Sequence, residues 1–218
     1  MERRMNLFDI FPEESIRSKF SQEVVIKTRD RKKLGEISQI KSGCMAEIGG
    51  GAWDRYVQNN PDCNKQALAS FFDENSPKIY LAMERYTGLK VLKDILYITA
   101  DVIDTEIEET QCAELLLAVT WPNVLRISDV TFVNPYAPIP ESERRYRFQY
   151  FKGLGLFQEL LKNCENYCKE KGIQEITLAA AYIDLVPFFE SYGFRVEDTP
   201  AGRAFLEFEE GIPMHKVL

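Results

Sequence analysis

The stretch Tyr150-Phe151-Lys152-Gly153-Leu154-Gly155-Leu156-Phe157 decides the fold of this chain, because it places two glycines directly before a helical pattern. A helix that begins in this way leaves several backbone N–H groups unpaired and directed at one point, which suits a phosphate or a pyrophosphate. Glycine carries no Cβ, so the backbone can approach such a ligand closely. The same Gly-x-Gly also occurs in ordinary strand-to-helix turns, where the glycines serve packing alone. The residues that follow favour the phosphate interpretation.

The residues after this loop predict helices and strands in alternation. Apolar residues recur at spacings of three and four from Leu156 to Cys168, which predicts a helix that ends at Gly172. Ile173–Ala181 is typical of a strand, Val186–Tyr192 of a short helix, and residues 194–196 of a further strand. With the strand before the loop, the predicted order is strand, glycine loop, helix, strand, short helix and strand.

The first half of the chain predicts a strand and several helices before a strand meander. Residues 23–27 are typical of a strand, and a helix follows that Thr28 or Asp30 can cap and that Ser42-Gly43 ends. Gly49–Gly51 predicts a flexible connection, which beside a tryptophan suits a lid.

The pattern continues through a turn at residues 59–62 and a helix that Asn64 can cap and that extends through Phe72. Residues 77–93 fit a helix or a strand, and we favour the helix. Three strand-like runs follow, at Ile95–Ile103, Ala113–Trp121 and Val124–Val133. A meander followed by strand, helix and strand predicts a mixed α/β sheet rather than a doubly wound one.

Composition excludes several classes of function. A net charge of −7 and a pI near 5.0 argue against general binding of nucleic acid, which depends on lysine and arginine. The sequence has no apolar run of the roughly 18–20 residues that a membrane helix requires, and Asp9 interrupts any signal-like core, so we expect a cytoplasmic protein. The five cysteines follow no zinc spacing and His215 is the only histidine, so we expect buried thiols and no metal.

About residues 125–196 resemble the core of the GNAT superfamily of acyl-CoA-dependent N-acetyltransferases. The family loop reads Gln/Arg-x-x-Gly-x-Gly/Ala, and residues 150–155 match it at every position except the first, where Tyr150 stands. The family's later helix often ends in aromatic-Tyr-Glu-x-x-Gly-Phe, and this chain has Phe188-Phe189-Glu190-Ser191-Tyr192-Gly193-Phe194. The resemblance implies a mixed, mostly antiparallel sheet with two splayed parallel strands, flanked by helices. We expect residues 1–218 to form one such domain, with 1–22 as an N-terminal extension and 136–150 as an insertion before the loop.

The resemblance also implies a binding site for acetyl-CoA. The pantetheine arm would lie between the splayed strands and pair with their exposed backbone edges. The pyrophosphate would lie on the backbone N–H groups of the glycine loop. The cofactor-binding residues implied are Phe132, Val133, Lys152, Gly153, Leu154, Gly155, Leu156, Phe157 and Ala179.

Catalytic candidates are few. Asp129 is a polar residue within a β-prone strand where family members often carry an acidic base; alternatively it faces solvent. Tyr150 and Phe189 depart from the family pattern, the latter standing where many members have the tyrosine that protonates the leaving thiolate. Tyr192 can replace that acid, with Tyr182 as a second candidate, or it packs under the helix end. Trp53 lies where the family's first helices border the acceptor site.

The sequence therefore predicts transfer of an acetyl group from acetyl-CoA to a primary amine by direct attack. The alternative is a GNAT-fold protein that binds acyl-CoA without turnover, which Phe189 and Tyr150 favour. A third alternative is an enzyme similar to acyl-homoserine-lactone synthases, but the N-terminal part of the sequence has no signature of that class. Arg144, Arg145 and Arg147 form a basic group in the insertion. This group would contact the 3′-phosphate of coenzyme A or an acidic acceptor; alternatively, it belongs to a solvated loop. An oligomer is compatible with the sequence but is not shown by it.

Overall fold

The computed structural model describes residues 5–60, 63–67, 70 and 79–218. Its helices are α1 Glu13–Arg17, α2 Leu34–Ile40, α3 Ser42–Asn59, α4 Ile79–Thr87, α5 Phe157–Lys171, α6 Val186–Glu190 and α7 Pro200–Phe208. Its strands are β1 Val24–Asp30, β2 Leu92–Val102, β3 Gln111–Thr120, β4 Val124–Pro138, β5 Phe151–Gly153, β6 Glu175–Tyr182, β7 Arg195–Val196 and β8 Glu210–Val217. None of the helices in this described part is long and apolar enough to cross a membrane.

One sheet carries the fold, in the strand order β1-β2-β3-β4-β6-β8-β7, with β5 paired to β4 beside that path. Every pairing is antiparallel except that of β4 with β6. The predicted mixed, mostly antiparallel sheet flanked by helices is therefore confirmed. The predicted order of strand, glycine loop, helix, strand, short helix and strand is also present, as β4, the loop, α5, β6, α6 and β7.

The parallel pair β4–β6 is short. Its last paired residues are Ile127 and Leu178, although β4 continues to Pro138 and β6 to Tyr182. Further along the same edge, β4 pairs with β5 through Val133 and Gly153. The two parallel strands therefore separate after three paired residues. We call the space between residues 128–132 of β4 and 179–182 of β6 the cleft.

Helices cover both faces of the sheet because its strands alternate between two cores. Leu96, Ile98 and Leu115 belong to the core that packs under α5. Their neighbours Ile95, Tyr97 and Leu116 belong to a second core under α2, α3 and α4. This alternation follows from the two-residue period of a strand.

The segment that precedes β1 completes the first core. Its buried side chains are Leu7, Ile10, Phe11 and Ile16. It is held to α5 by the Asn163 side-chain amide, which donates to the Ile10 carbonyl at 3.2 Å, and by Ser15 Oγ, which donates to Glu159 Oε1 at 2.8 Å.

Gly49–Gly51 does not form the predicted flexible connection; these glycines lie inside α3. A Cβ on Gly49 would lie 1.7 Å from Ile79 Cγ2, so glycine is what allows α4 to pack against α3. That contact outweighs the roughly 0.5–1 kcal/mol that a glycine costs inside a helix. The stop predicted at Ser42-Gly43 is likewise displaced, because α2 ends at Ile40 and Ser42 begins α3.

Other local predictions have mixed outcomes. The preferred helix in residues 77–93 is confirmed as α4 over Ile79–Thr87. Asn64 Oδ1 accepts a hydrogen bond from the Ala67 amide at 3.0 Å, as a helix cap does. The rest of that predicted helix, from Leu68 to Phe72, lies mostly outside the described residues, and the predicted turn at 59–62 does so for residues 61–62.

The cysteines are free, and Cys112, Cys164 and Cys168 are buried as predicted. Burial raises the pKa of the Cys112 thiol to about 11 and that of the Cys168 thiol to about 12. Cys44 and Cys63 are only half-buried, so the prediction of buried thiols is wrong for these two. Within the described residues, no group of three or more histidine, cysteine, aspartate or glutamate side chains could hold a metal ion.

Candidate functional site

The glycine loop joins β5 to α5 at the edge of β4. The Leu154 amide donates to the Phe132 carbonyl at 3.0 Å, which fixes the loop beside that strand. Gly155 adopts a φ of 72°, a left-handed conformation that other residues take at a cost. A Cβ built on Gly155 would meet no described atom within 4 Å. Packing therefore does not require a glycine at this position, whereas the backbone conformation does.

The first turn of α5 keeps its amide donors available. Leu156 precedes the helix and provides no side-chain cap, and the Leu160 amide donates to the Leu156 carbonyl at 3.0 Å. The amides of residues 157–159 thus have no acceptor within the helix. Together with the positive end of the helix dipole, they can bind an anion beside Gly155.

An aromatic cluster surrounds the start of α5. The ring of Phe157 lies 5.5 Å from that of Phe189 and 5.1 Å from that of Tyr192, between ring centroids. Phe189 is 7% exposed and also contacts Phe194, so it belongs to the core. Tyr192 is half-buried, and among the described residues nothing hydrogen-bonds its hydroxyl. The structure therefore brings one predicted catalytic residue, Tyr192, to the helix that begins at the glycine loop.

Asp129 lies on the opposite face of the sheet, toward α3. Its carboxylate is paired with the Lys41 ammonium, which also lies 3.1 Å from Glu114 Oε1. Burial alone would lower the pKa of Lys41, but hydrogen bonds and charges from Asp129 and Glu114 outweigh burial and raise it. The Tyr97 hydroxyl completes the cluster by donating to Glu114 Oε1 at 2.6 Å. As a base, Asp129 has to act in the presence of this ammonium group.

The segment from residue 139 to 150, which we call the strap, crosses from β4 to the end of β6. Phe148 stacks on Tyr182 with 5.3 Å between ring centroids, and Tyr146 stacks on Phe148 at 6.1 Å. The Arg147 guanidinium lies 5.9 Å over the Tyr182 ring. The strap therefore bridges the two strands at the open end of the cleft. Its arginines lie on aromatic rings, since Arg144 is also placed 4.6 Å over Tyr150.

A cavity of about 930 Å³ lies beside the strap and β4. It gathers three of the predicted cofactor-binding residues, Phe132, Val133 and Gly153, together with Tyr150 and Arg144. Lys152 is exposed on β5 next to it. Ala179 does not line this cavity, and lies instead on β6 immediately after the last residue that pairs with β4.

A second cavity of about 340 Å³ lies between α3 and α7, and we call it the α3–α7 cavity. Its floor includes Ala179, so it reaches the point where β4 and β6 separate. Its charged lining residues are Glu47, Asp54, Arg55, Arg126 and Glu197. The predicted acceptor residue Trp53 is absent from the described lining and packs against the second core. Its neighbours Ala52 and Asp54 face the cavity instead.

Sequence reasoning missed these charged residues because they come from α3, β4 and the segment after β7. Arg55 binds both oxygens of Glu175, at 2.6 and 3.0 Å, and one oxygen of Glu197 at 3.2 Å. Burial raises the pKa of Asp54, and the charge of Glu197 adds to the effect. One signal was available, because Arg126 is a charged residue between apolar neighbours within a strand.

Comparison with known proteins finds one family match, in the C-terminal third of the chain. Residues 149–218 match the acetyltransferase (GNAT) domain family, which confirms the resemblance seen at the glycine loop and extends it past Val196. No curated protein matches the chain by sequence.

Several solved structures are similar to the chain at low identity. An acetyltransferase of the GNAT family from Staphylococcus aureus Mu50 is 15% identical, with 90% of this chain and 99% of that chain covered and a TM-score of 0.36. The IAA acetyltransferase from Bacillus cereus is 13% identical, with coverage of 90% and 100% and a TM-score of 0.35. A Bacillus subtilis acetyltransferase in complex with CoA is 16% identical, with coverage of 72% and 94% and a TM-score of 0.30.

Proposed function

We propose that this chain, whose residues 149–218 match the GNAT acetyltransferase domain, transfers an acetyl group from acetyl-CoA to a primary amine. One observation carries the proposal: β4 and β6 separate after Ile127 and Leu178, and the glycine loop with the start of α5 lies next to the separated edge. An extended ligand can pair with such an edge while its anionic group binds the helix start. In this proposal, residues 1–218 form one acyltransferase domain.

The described residues fit coenzyme A. The uncapped amides of residues 157–159 and the open side of Gly155 suit a pyrophosphate. The edge of β4 at residues 128–131 lies between its pairings with β6 and β5, and it can hydrogen-bond the amide groups of a pantetheine arm. Phe132 has its carbonyl already bound to Leu154, so this residue contributes its side chain to the cavity lining. When bound, acetyl-CoA supplies an activated acetyl thioester.

The chain's own residues would position the acceptor and move protons. In the transfer, a C–N bond forms and the thioester C–S bond breaks, the amine loses a proton and the thiolate gains one. Asp129, which is paired with Lys41, is the proposed base that takes the proton from the amine. Tyr192 is the proposed acid, since its ring lies against Phe157 at the start of α5. Holding the amine and the thioester in a reactive geometry supplies part of the acceleration.

A second candidate function is binding of acyl-CoA without turnover. Phe189 occupies the place of the family's tyrosine and is buried among aromatic rings, so it has no group to donate a proton. This observation favours a binding or regulatory protein over a fast enzyme. Five free thiols suit a reducing compartment, and we propose a cytoplasmic location for either function.

Calorimetric titration with acetyl-CoA, followed by mass spectrometry of a mixed panel of primary amines after incubation, separates the two candidates. Binding with acetylated products supports the transferase. Binding with no product from any amine supports the non-catalytic alternative. An absence of binding at millimolar acetyl-CoA contradicts both.

A further inference from the structure

The α3–α7 cavity contains a buried arginine whose donors are incompletely used. Arg126 is 8% exposed and pairs with the floor residue Thr177 across the parallel strands. Its Nη2 donates to Glu47 Oε2 at 3.2 Å, but its buried Nε has no hydrogen-bond partner among the described residues. Buried donors of charged groups are normally satisfied. Arg126 itself lines the cavity, so an oxyanion that enters would give this guanidinium a second acceptor beside Glu47.

A carboxylate that lines the same cavity is also unpaired. Asp54 forms no ion pair or side-chain hydrogen bond within residues 5–60, 63–67, 70 and 79–218. The adjacent guanidinium of Arg55 is directed to Glu175 and Glu197. Burial raises the pKa of Asp54, so the carboxylate gains from a cation brought into the cavity.

The wall of the cavity is built from small residues that leave room for a ligand. Gly50 and Gly51 of α3 lie between Glu47 and Asp54, and a Cβ on Gly51 would come within 3.5 Å of Arg126 Nη1. The volume of about 340 Å³ falls at the lower end of the range for small-molecule sites. The cavity reaches Ala179, at the start of the cleft.

We propose that the α3–α7 cavity binds a small amine that also carries a carboxylate, with its carboxylate on Arg126 and its ammonium near Asp54. The ligand class is that of free amino acids. That the amino acid is the acceptor for acetyl transfer rests on the function proposed above. That the cavity binds an amino acid is argued from the cavity alone. A large polyamine or a peptide side chain without a carboxylate would give the Arg126 guanidinium no second acceptor.

Matched probe sets test the site without requiring turnover. Each set is an L-amino acid, its amide, and the amine in which hydrogen replaces the carboxylate, and sets based on alanine, leucine, lysine and glutamate vary side-chain size and charge. Calorimetric titrations are run in the presence and absence of coenzyme A. In at least one set, the amino acid is expected to bind on the order of 10-fold to 100-fold more tightly than its amide, as hydrogen bonds to charged groups allow.

Three variants assign the preference to residues. In Arg126→Gln, the affinity for the amino acid should fall to that for its amide. In Asp54→Asn, the affinities for the amino acid and for the amide should both fall. Arg203→Gln, on the exposed side of α7, should change neither affinity. Circular dichroism and thermal melting show whether each variant is folded, and Arg126→Lys should retain part of the preference if Arg126→Gln is unstable.

The outcomes distinguish this assignment from the proposed function. Equal affinity for amino acid and amide in every set, or a preference that survives Arg126→Gln, overturns the assignment. If the only amines that become acetylated are those without a carboxylate, the amino-acid assignment is overturned and the proposed transferase function stands. Amino-acid binding with the expected variant pattern and no acetylated product supports the site and contradicts the transferase.

Discussion

The ring of Phe148 in the strap stacks on the ring of Tyr182 at the end of β6, with centroids 5.3 Å apart and planes at 18°. This contact joins the segment after β4 to the strand from which β4 has separated. It closes the open end of the cleft with a contact of modest strength, since an aromatic pair contributes about 0.5–1.5 kcal/mol beyond its buried area. Ligand entry and release at this end would require the strap to move.

We expect Phe148→Ala to increase the dissociation rate of acetyl-CoA, because the strap loses its hold on Tyr182. Loss of about 1 kcal/mol corresponds to roughly a fivefold faster release. Stopped-flow competition measures the rate, and limited proteolysis should show faster cleavage within residues 139–150. Ile103→Ala is the control, because Ile103 is 55% exposed and follows β2, away from the strap. An unchanged rate together with unchanged cleavage would show that the strap does not cover the bound ligand.

Gly155→Glu should abolish binding of acetyl-CoA, since a carboxylate would occupy the anion site at the start of α5. The matched control is Gly88→Glu, because Gly88 has a φ of 71° against 72° for Gly155. Neither glycine has a described atom within 4 Å of an added Cβ. Both variants should therefore lose about 1–2 kcal/mol of unfolding free energy from left-handed strain. Only Gly155→Glu should lose the rise in melting temperature that acetyl-CoA gives the native protein.

Tyr192→Phe should lower kcat by roughly 10²-fold or more if Tyr192 protonates the leaving thiolate. The phenyl ring keeps its contacts with Phe157 and Phe188, so the KM for acetyl-CoA should change little. Steady-state kinetics across pH measures both constants. Tyr146→Phe in the strap is the control. Full activity of Tyr192→Phe would assign the proton to solvent or to Tyr182.

The pair formed by Arg55 and Glu175 should make stability depend on acid pH. Burial raises the pKa of Glu175, but hydrogen bonds and charges from Arg55 and His215 outweigh burial and lower it below its ordinary value of 4.5. The unfolded chain therefore binds the proton first, and the stabilisation is present above about pH 4.5 and lost as pH falls through the lower folded pKa.

Urea unfolding of the native protein and of Glu175→Gln from pH 7 to pH 3 tests this dependence. At pH 7 the variant should be less stable by about 1–3 kcal/mol, and the difference should shrink toward pH 3. Glu210→Gln is the control, since Glu210 is 63% exposed. A difference that stays constant over the whole range would contradict the assignment to Glu175.

Gly49→Ala should destabilise the protein by about 1–3 kcal/mol, because overpacking forces α3 and α4 apart. The added Cβ would lie 1.7 Å from Ile79 Cγ2 and 2.8 Å from the Tyr80 amide nitrogen. Gly35→Ala in α2 meets nothing described within 4 Å and should stabilise by about 0.5–1 kcal/mol. Thermal denaturation of the two variants gives opposite signs if close helix packing is the reason for Gly49.

The sequence by itself determined the elements whose signals are local. The glycine loop, helix α5 with its apolar stripe and its end at Gly172, and strand β6 all follow from residues within a few positions of each other. The same holds for α4, where the helical spacing of Ile79, Met83 and Tyr86 agreed with the structure. Strand β8 and helix α7 were missed although Thr199 and Pro200 are typical helix-start residues.

Only the tertiary structure decided which side chains meet. It placed Gly49 under Ile79, paired Asp129 with Lys41, and set Asp54 and Arg126 around one cavity although they lie 72 residues apart in sequence. It also inserted β8 between β6 and β7. The physical reason is that periodicity and capping act over one or two turns, whereas packing and ion pairing depend on distances that the sheet order sets. Residues distant in sequence therefore explain why three glycines lie inside helix α3 and why the charged Arg126 lies inside strand β4.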